Sequence, residues 1–130
     1  MNRNNLIGYR AVLIVSDPWE FGTECGTGPF LGVIKDKDSG KVLIILDKKI
    51  SYGGNDYPAC ICIPRHKGKD VNDILYGERI SVNIMLISVQ VSSFLDVNRQ
   101  RQYKTQAVIG TIEQDKTSGE EKISKKGGKG

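Results

Sequence analysis

A chain of 130 residues that is 38% apolar, 26% charged and 7% aromatic has the size of one domain and can bury its own core, so folding requires no disulfide or metal. No apolar run exceeds five residues, as in Ala11 to Val15, which excludes a helical membrane span. Nineteen basic against fifteen acidic residues give +4, but half of that excess lies in the last sixteen residues, where five lysines face three acids.

Residues 1 to 5 are polar and precede no long apolar stretch, so a secretory signal is not expected and the cytoplasm is the expected compartment. Three cysteines, Cys25, Cys60 and Cys62, are an odd number without a spaced framework, in keeping with free thiols in a reducing environment. Tyr9 to Ser16 is rich in aliphatic and β-branched residues on both alternating faces, which predicts a strand covered on both sides. Asp17 to Pro29 holds two prolines and three glycines, too many breakers for helix or ladder, and is expected to be a long loop. Phe30 to Lys35 and Lys41 to Leu46 flank Asp36 to Gly40, where a positive φ at Gly40 closes a hairpin with a bulge.

Asp47 to Asn55 contains Lys48, Lys49 and Gly53-Gly54 and reads as a further turn before a strand over Tyr57 to Ile63, with Pro58 confining its start to an edge or first position. In that strand Cys60 and Cys62 share one face and Ala59, Ile61 and Ile63 the other. Asp70 to Gly77 offers an N-capping aspartate, apolar residues at 71, 74 and 75 and a terminating glycine, sufficient for one or two helical turns. Glu78 to Ser88 alternates with Ile80, Val82, Ile84 and Leu86 inward. The pattern degrades between Gln90 and Tyr103, where either a loop or a helical turn fits, and Thr105 to Glu113 supplies a last strand. Residues 115–130 lack the apolar content that offsets the entropy of ordering, so one domain over 1–114 with a mobile Lys/Gly-rich tail is expected.

No repeat, heptad or strand–helix–strand alternation occurs. The order of elements predicts an all-β protein with one short helical turn, a small five- to six-stranded antiparallel barrel of Src-homology-like form. An oligonucleotide-binding-like barrel is the alternative. In the Src-homology-like form the long first loop and the 70–77 turn are expected to flank a shared binding face.

Three chemistries compete for the site. In the first, Trp19 and Phe21 form an apolar anchor for a protein segment, Asp17, Glu20 and Glu24 select basic partner groups from the rim, and Arg65 and Tyr76 border the same face. The competing role for Trp19 and Phe21 is to cover an open barrel end. In the second, Lys48, Lys49, Arg65, Lys67, Arg99 and Arg101 converge on nucleic-acid phosphates, with Tyr52, Tyr57 or Tyr103 stacking on bases. In the third, Cys25, Cys60, Cys62 and His66 supply a thiol or zinc centre, against which stands the extended spacing of Cys60 and Cys62. The glycines of Gly22 to Gly28 lack the Gly-Lys-Ser/Thr ending and following helix of a phosphate loop. A single histidine leaves acid–base catalysis short of parts. The residues are therefore read as a non-catalytic module without cofactor or membrane partner, monomeric or paired through the edge strands of an open barrel. If Trp19 is an anchor, Trp19→Ala abolishes partner binding and moves the melting temperature by no more than about 4 °C. A large fall in stability would place Trp19 in the core.

Overall fold

The computed structural model describes residues 6–16, 26–100 and 102–115. Six strands form within them: β1 (Arg10–Val15), β2 (Phe30–Asp38), β3 (Lys41–Tyr52), β4 (Asn55–Pro64), β5 (Ile80–Ile87) and β6 (Thr105–Gln114). Each pairs antiparallel with its neighbours in sequence, and β6 returns to β1 to close a barrel. This up-and-down order differs from the Greek key of an oligonucleotide-binding barrel, which corrects that alternative. Closure also corrects the open barrel on which edge-strand pairing relied, since every strand now has two partners.

Period-two alternation decides what faces inward. Ala11, Leu13 and Val15 are buried on β1, and Ile80, Val82, Ile84 and Leu86 on β5, in phase with Val42 and Ile44 of β3. Burying each large aliphatic side chain of this interior contributes about 1.5–3 kcal/mol. β1 departs from its expected two-sided cover, because Val12 and Ile14 are only half-buried. The β2–β3 hairpin forms, but β2 runs on through Asp38, so the connection expected over Asp36 to Gly40 tightens to a two-residue turn with Ser39 and Gly40 at positive φ, and the register shift falls between Ile34 and Asp36.

β3 runs further than expected, through Asp47 to Tyr52, and its pairing with β4 shifts between Ile45 and Ile50. Over that interval five steps on β3 oppose two on β4, from Ala59 to Tyr57. A regular strand would aim Lys48 inward, in phase with Leu46 and Ile50, and an unpaired ammonium in an apolar interior is costly. The irregularity leaves Asp47, Lys48 and Lys49 exposed. Pro58, which has no N–H to give a ladder, falls at the same break, so β4 accommodates it without being an edge strand.

A second apolar cluster lies outside the barrel wall. Leu43, Ala59, Ile61 and Ile87, the outward residues of β3, β4 and β5, are covered by the β5–β6 connection. The segment left open by sequence folds there as a short helix, α1 (Phe94–Arg99), which buries Phe94 and Val97 and leaves Leu95 exposed. Ser93 caps it by accepting from the Asp96 N–H at 3.0 Å. Asp36 of β2 accepts from the Phe94 N–H at 2.7 Å, and the Lys41 ammonium stands 5.8 Å from the Phe94 ring centre. The β4–β5 connection contains a 3-10 helix, Val71–Tyr76, with a reciprocal cap between Asp70 and Asp73 and a left-handed Gly77. Val71 and Ile74 from this helix, together with Leu6, join the inner core.

Two glycines face that interior. A Cβ on Gly32 would come within 2.6 Å of Ile44 Cγ2 and of the Ile45 carbonyl oxygen, and one on Gly110 would overlap the Ile14 carbonyl oxygen. Gly110→Ala is therefore expected to destabilise the protein by about 1–3 kcal/mol or more in urea unfolding. Asp36→Ala, which strands the Phe94 N–H, is expected to lower stability by about 1–2 kcal/mol in the same assay.

Candidate functional site

Connections of an up-and-down barrel alternate between its two ends. The β1–β2, β3–β4 and β5–β6 connections share one end, here the upper, and the β2–β3 and β4–β5 connections share the lower. The Asp17 to Pro29 connection and the 65–79 connection are thus rooted at opposite ends. Arg65 and Tyr76 belong to the lower end, whereas the described roots of the first loop, Ser16 and Gly26 to Pro29, belong to the upper.

At the upper end, Pro29, Phe30 and Leu31 enter β2 opposite the displaced segment Asp47 to Lys49 of β3. The β2–β3 register ends at Gly32 with Leu46, and the β3–β4 register resumes at Ile50 with Tyr57, so Asp47, Lys48 and Lys49 are in register with neither neighbour. Between the two segments lies an open groove of about 420 Å³. Phe30 is partly buried against the core, and Leu31 is 37% exposed. The Val15 N–H donates to the Thr27 carbonyl at 2.8 Å, which ties the returning chain to β1. Gly28 has a φ of 103°, and a Cβ there would meet the Leu13 carbonyl oxygen at 2.9 Å, so this close approach requires glycine.

The groove's charges are unequal in their engagements. Asp47 is ion-paired with Arg10, which also lies 3.7 Å from Asp115. The hydrogen bond to Asp47 raises the Arg10 guanidinium above its ordinary range. Asp115, expected in the tail, is held here because its N–H also donates to the Arg10 carbonyl at 2.9 Å. Lys49 lies 3.5 Å from Asp56, whose carboxyl is lowered first by the Ser51 hydroxyl at 2.8 Å and then by Lys49. Lys48 makes no ion pair among the described residues.

Asp17, Trp19, Glu20, Phe21, Glu24, Cys25 and Arg101 lie outside the described residues. The six cations of the nucleic-acid reading do not form one groove. Lys48 and Lys49 are at the upper end, whereas Arg65 and Lys67 follow β4 at the lower end, most of a ten-residue strand or roughly 25 Å away. Arg99 is the exposed last residue of α1. Tyr52 and Tyr57 are buried in the inner core and Tyr103 packs on the outer cluster, so stacking through Tyr52 or Tyr57 is corrected by their burial. The exposed tyrosines are Tyr76 and Tyr9.

Cys60 and Cys62 are fully buried inside the barrel, while His66 is exposed beyond the end of β4. The hydrogen bond to Cys60, followed by burial, holds the Cys62 thiol well above the ordinary range, where it is a poor nucleophile and a poor ligand. The thiols are thus enclosed while the imidazole is in water. Among the described residues no three His, Cys, Asp or Glu groups are placed to hold a metal ion. Nor is any described helix long and apolar enough to cross a membrane.

Pro29, Phe30, Leu31 and Asp47 complete the groove and were not singled out from sequence. The available signal was Lys48 in the interior phase of β3, between Leu46 and Ile50. No family model, curated protein or solved structure matches the chain significantly. Burial of Cys60 and Cys62 makes a direct expectation for thiol labelling. Both are expected to react with a thiol reagent only as fast as the barrel opens, and labelling of either at the rate of a free thiol under native conditions would contradict the placement.

Proposed function

We propose that this protein is a non-catalytic binding module that holds a segment of a partner protein at the upper end of its barrel. The carrying observation is the groove between Pro29–Leu31 and Asp47–Lys49, preformed and of a size that suits a few side chains. Phe30 and Leu31 offer an apolar floor, and Lys48 a cation with no ion pair among the described residues. An extended partner segment would lie along Asp47 to Lys49, seat an apolar side chain on Leu31 and place an acidic group on Lys48. The Asp17 to Pro29 connection leaves β1 and returns to β2 beside this groove, so an anchor formed by Trp19 and Phe21 belongs to the same reading. The groove's own ionisable groups are a carboxylate engaged by Arg10 and two lysines, a set suited to holding charge rather than moving protons.

Selection of a random peptide library on the intact protein tests this reading. Enriched peptides are expected to combine an apolar residue with a nearby acid and to lose about tenfold in affinity against Leu31→Lys, equivalent to about 1.4 kcal/mol. The melting temperature of that variant is expected to stay within about 4 °C of the parent, because Leu31 is outside the core. Peptides that bind Leu31→Lys and the parent equally would remove the groove from the account.

A further inference from the structure

The lower end carries a second feature, independent of the groove. The connection Arg65-His66-Lys67-Gly68-Lys69 is exposed throughout, yet its path is defined. The Arg65 N–H donates to the Ser81 carbonyl at 2.9 Å, and the Lys69 N–H to the His66 carbonyl at 3.3 Å. The acids of the 65–79 connection are engaged. Asp70 accepts from the Asn72 N–H at 2.8 Å, Asp73 from the Asp70 N–H at 3.3 Å, and Glu78 pairs with Lys69 at 3.3 Å. Arg79 pairs with Glu113 at 3.3 Å. Arg65 and Lys67 remain as cations without an ion pair among the described residues.

The Lys69–Glu78 pair clasps the two limbs of this connection. Lys67 lies two residues before the clasp and Tyr76 two residues before its other side, each within about 7 Å along the backbone. Tyr76 is 76% exposed, the most exposed large apolar side chain among the described residues, at the end of a helix whose Val71 and Ile74 are anchored in the core. A water-exposed aromatic ring on a core-anchored helix, in the same connection as two cations that make no ion pair among the described residues, has the chemistry of a base-stacking platform with phosphate contacts. A single aromatic ring stacks only on an unstacked base, which favours a single strand over a duplex.

We propose that the lower end of the barrel binds single-stranded nucleic acid, with a base stacked on Tyr76 and neighbouring phosphates on Arg65 and Lys67. The contact is independent of sequence, because stacking and charge make no base-edge readout.

The test is fluorescence anisotropy of labelled oligothymidylate and oligouridylate with the full chain across a salt series. The double variant Arg65→Ala, Lys67→Ala is expected to reduce the slope of log K against log salt by about 1.4, which is two phosphate contacts on a single strand. Tyr76→Ala is expected to weaken binding by about tenfold and Tyr76→Phe to preserve it. Lys104→Ala, which removes an exposed cation from the upper end, is expected to leave the slope unchanged. All four positions are exposed, and unchanged melting temperatures identify the effects as binding effects. The proposal is overturned by no binding, or by binding that keeps its slope in the double variant. Equal capture of polyglutamate with indifference to Tyr76→Ala also overturns it, since that result defines a general anion patch that serves acidic proteins.

Discussion

The pairing of β1 with β6 is the constraint on which the structure depends. Ala11 to Val15 lie opposite Gln114 to Gly110 along five registered positions, and without that seam the sheet would keep two open edges. The seam brings the Ile14 backbone against Gly110 so closely that no side chain fits there, and Gly32 admits β3 in the same way. Glycine weakens a strand by itself; here its missing side chain permits the curvature that closes the wall. Closure encloses one apolar interior with no buried polar or charged residue among the described residues.

Topology then distributes the chemistry. Successive connections leave opposite ends, so the groove beside Pro29 and the basic turn beside Tyr76 are separated by the length of the barrel. The two sites have different physical origins. The groove exists because β3 swings a lysine out of an apolar phase. The basic turn exists because the caps and clasp of the 65–79 connection occupy its acids while Arg65 and Lys67 stay unengaged. The outer cluster under α1 supplies a rigid back wall for β3, β4 and β5, which explains why β4 is buried over both faces from Tyr57 to Cys62.

Much of the barrel was legible because alternation and turn residues act locally. β5 and the Ser39-Gly40 hairpin follow from their own residues, and so does the capped turn after Asp70. The extension of β3 was hidden because Asp47-Lys48-Lys49 has loop composition, and only its pairing partners draw it into a strand. α1 was hidden for a different reason: Phe94 and Val97 pack on the outside of the wall, against residues distant in sequence. The groove was half legible. Lys48 and Lys49 are visible as cations, but Pro29 to Leu31 join them only through the β2–β3 register. The basic residues at 65 and 67 were legible as charges, whereas their neighbours' engagements depend on tertiary geometry.

Amide hydrogen exchange across the folded protein tests this account most directly, since the seam and the displaced segment make opposite demands on it. Closure requires strong protection of Ile14 and Thr111, whose amides point into the β1–β6 seam, together with fast exchange at Asp47, Lys48 and Lys49 between two protected stretches of β3. Exchange at Ile14 and Thr111 as fast as in the connecting turns would mean that the barrel is open. Uniform protection from Lys41 to Tyr52 would mean that β3 is a regular strand without a groove.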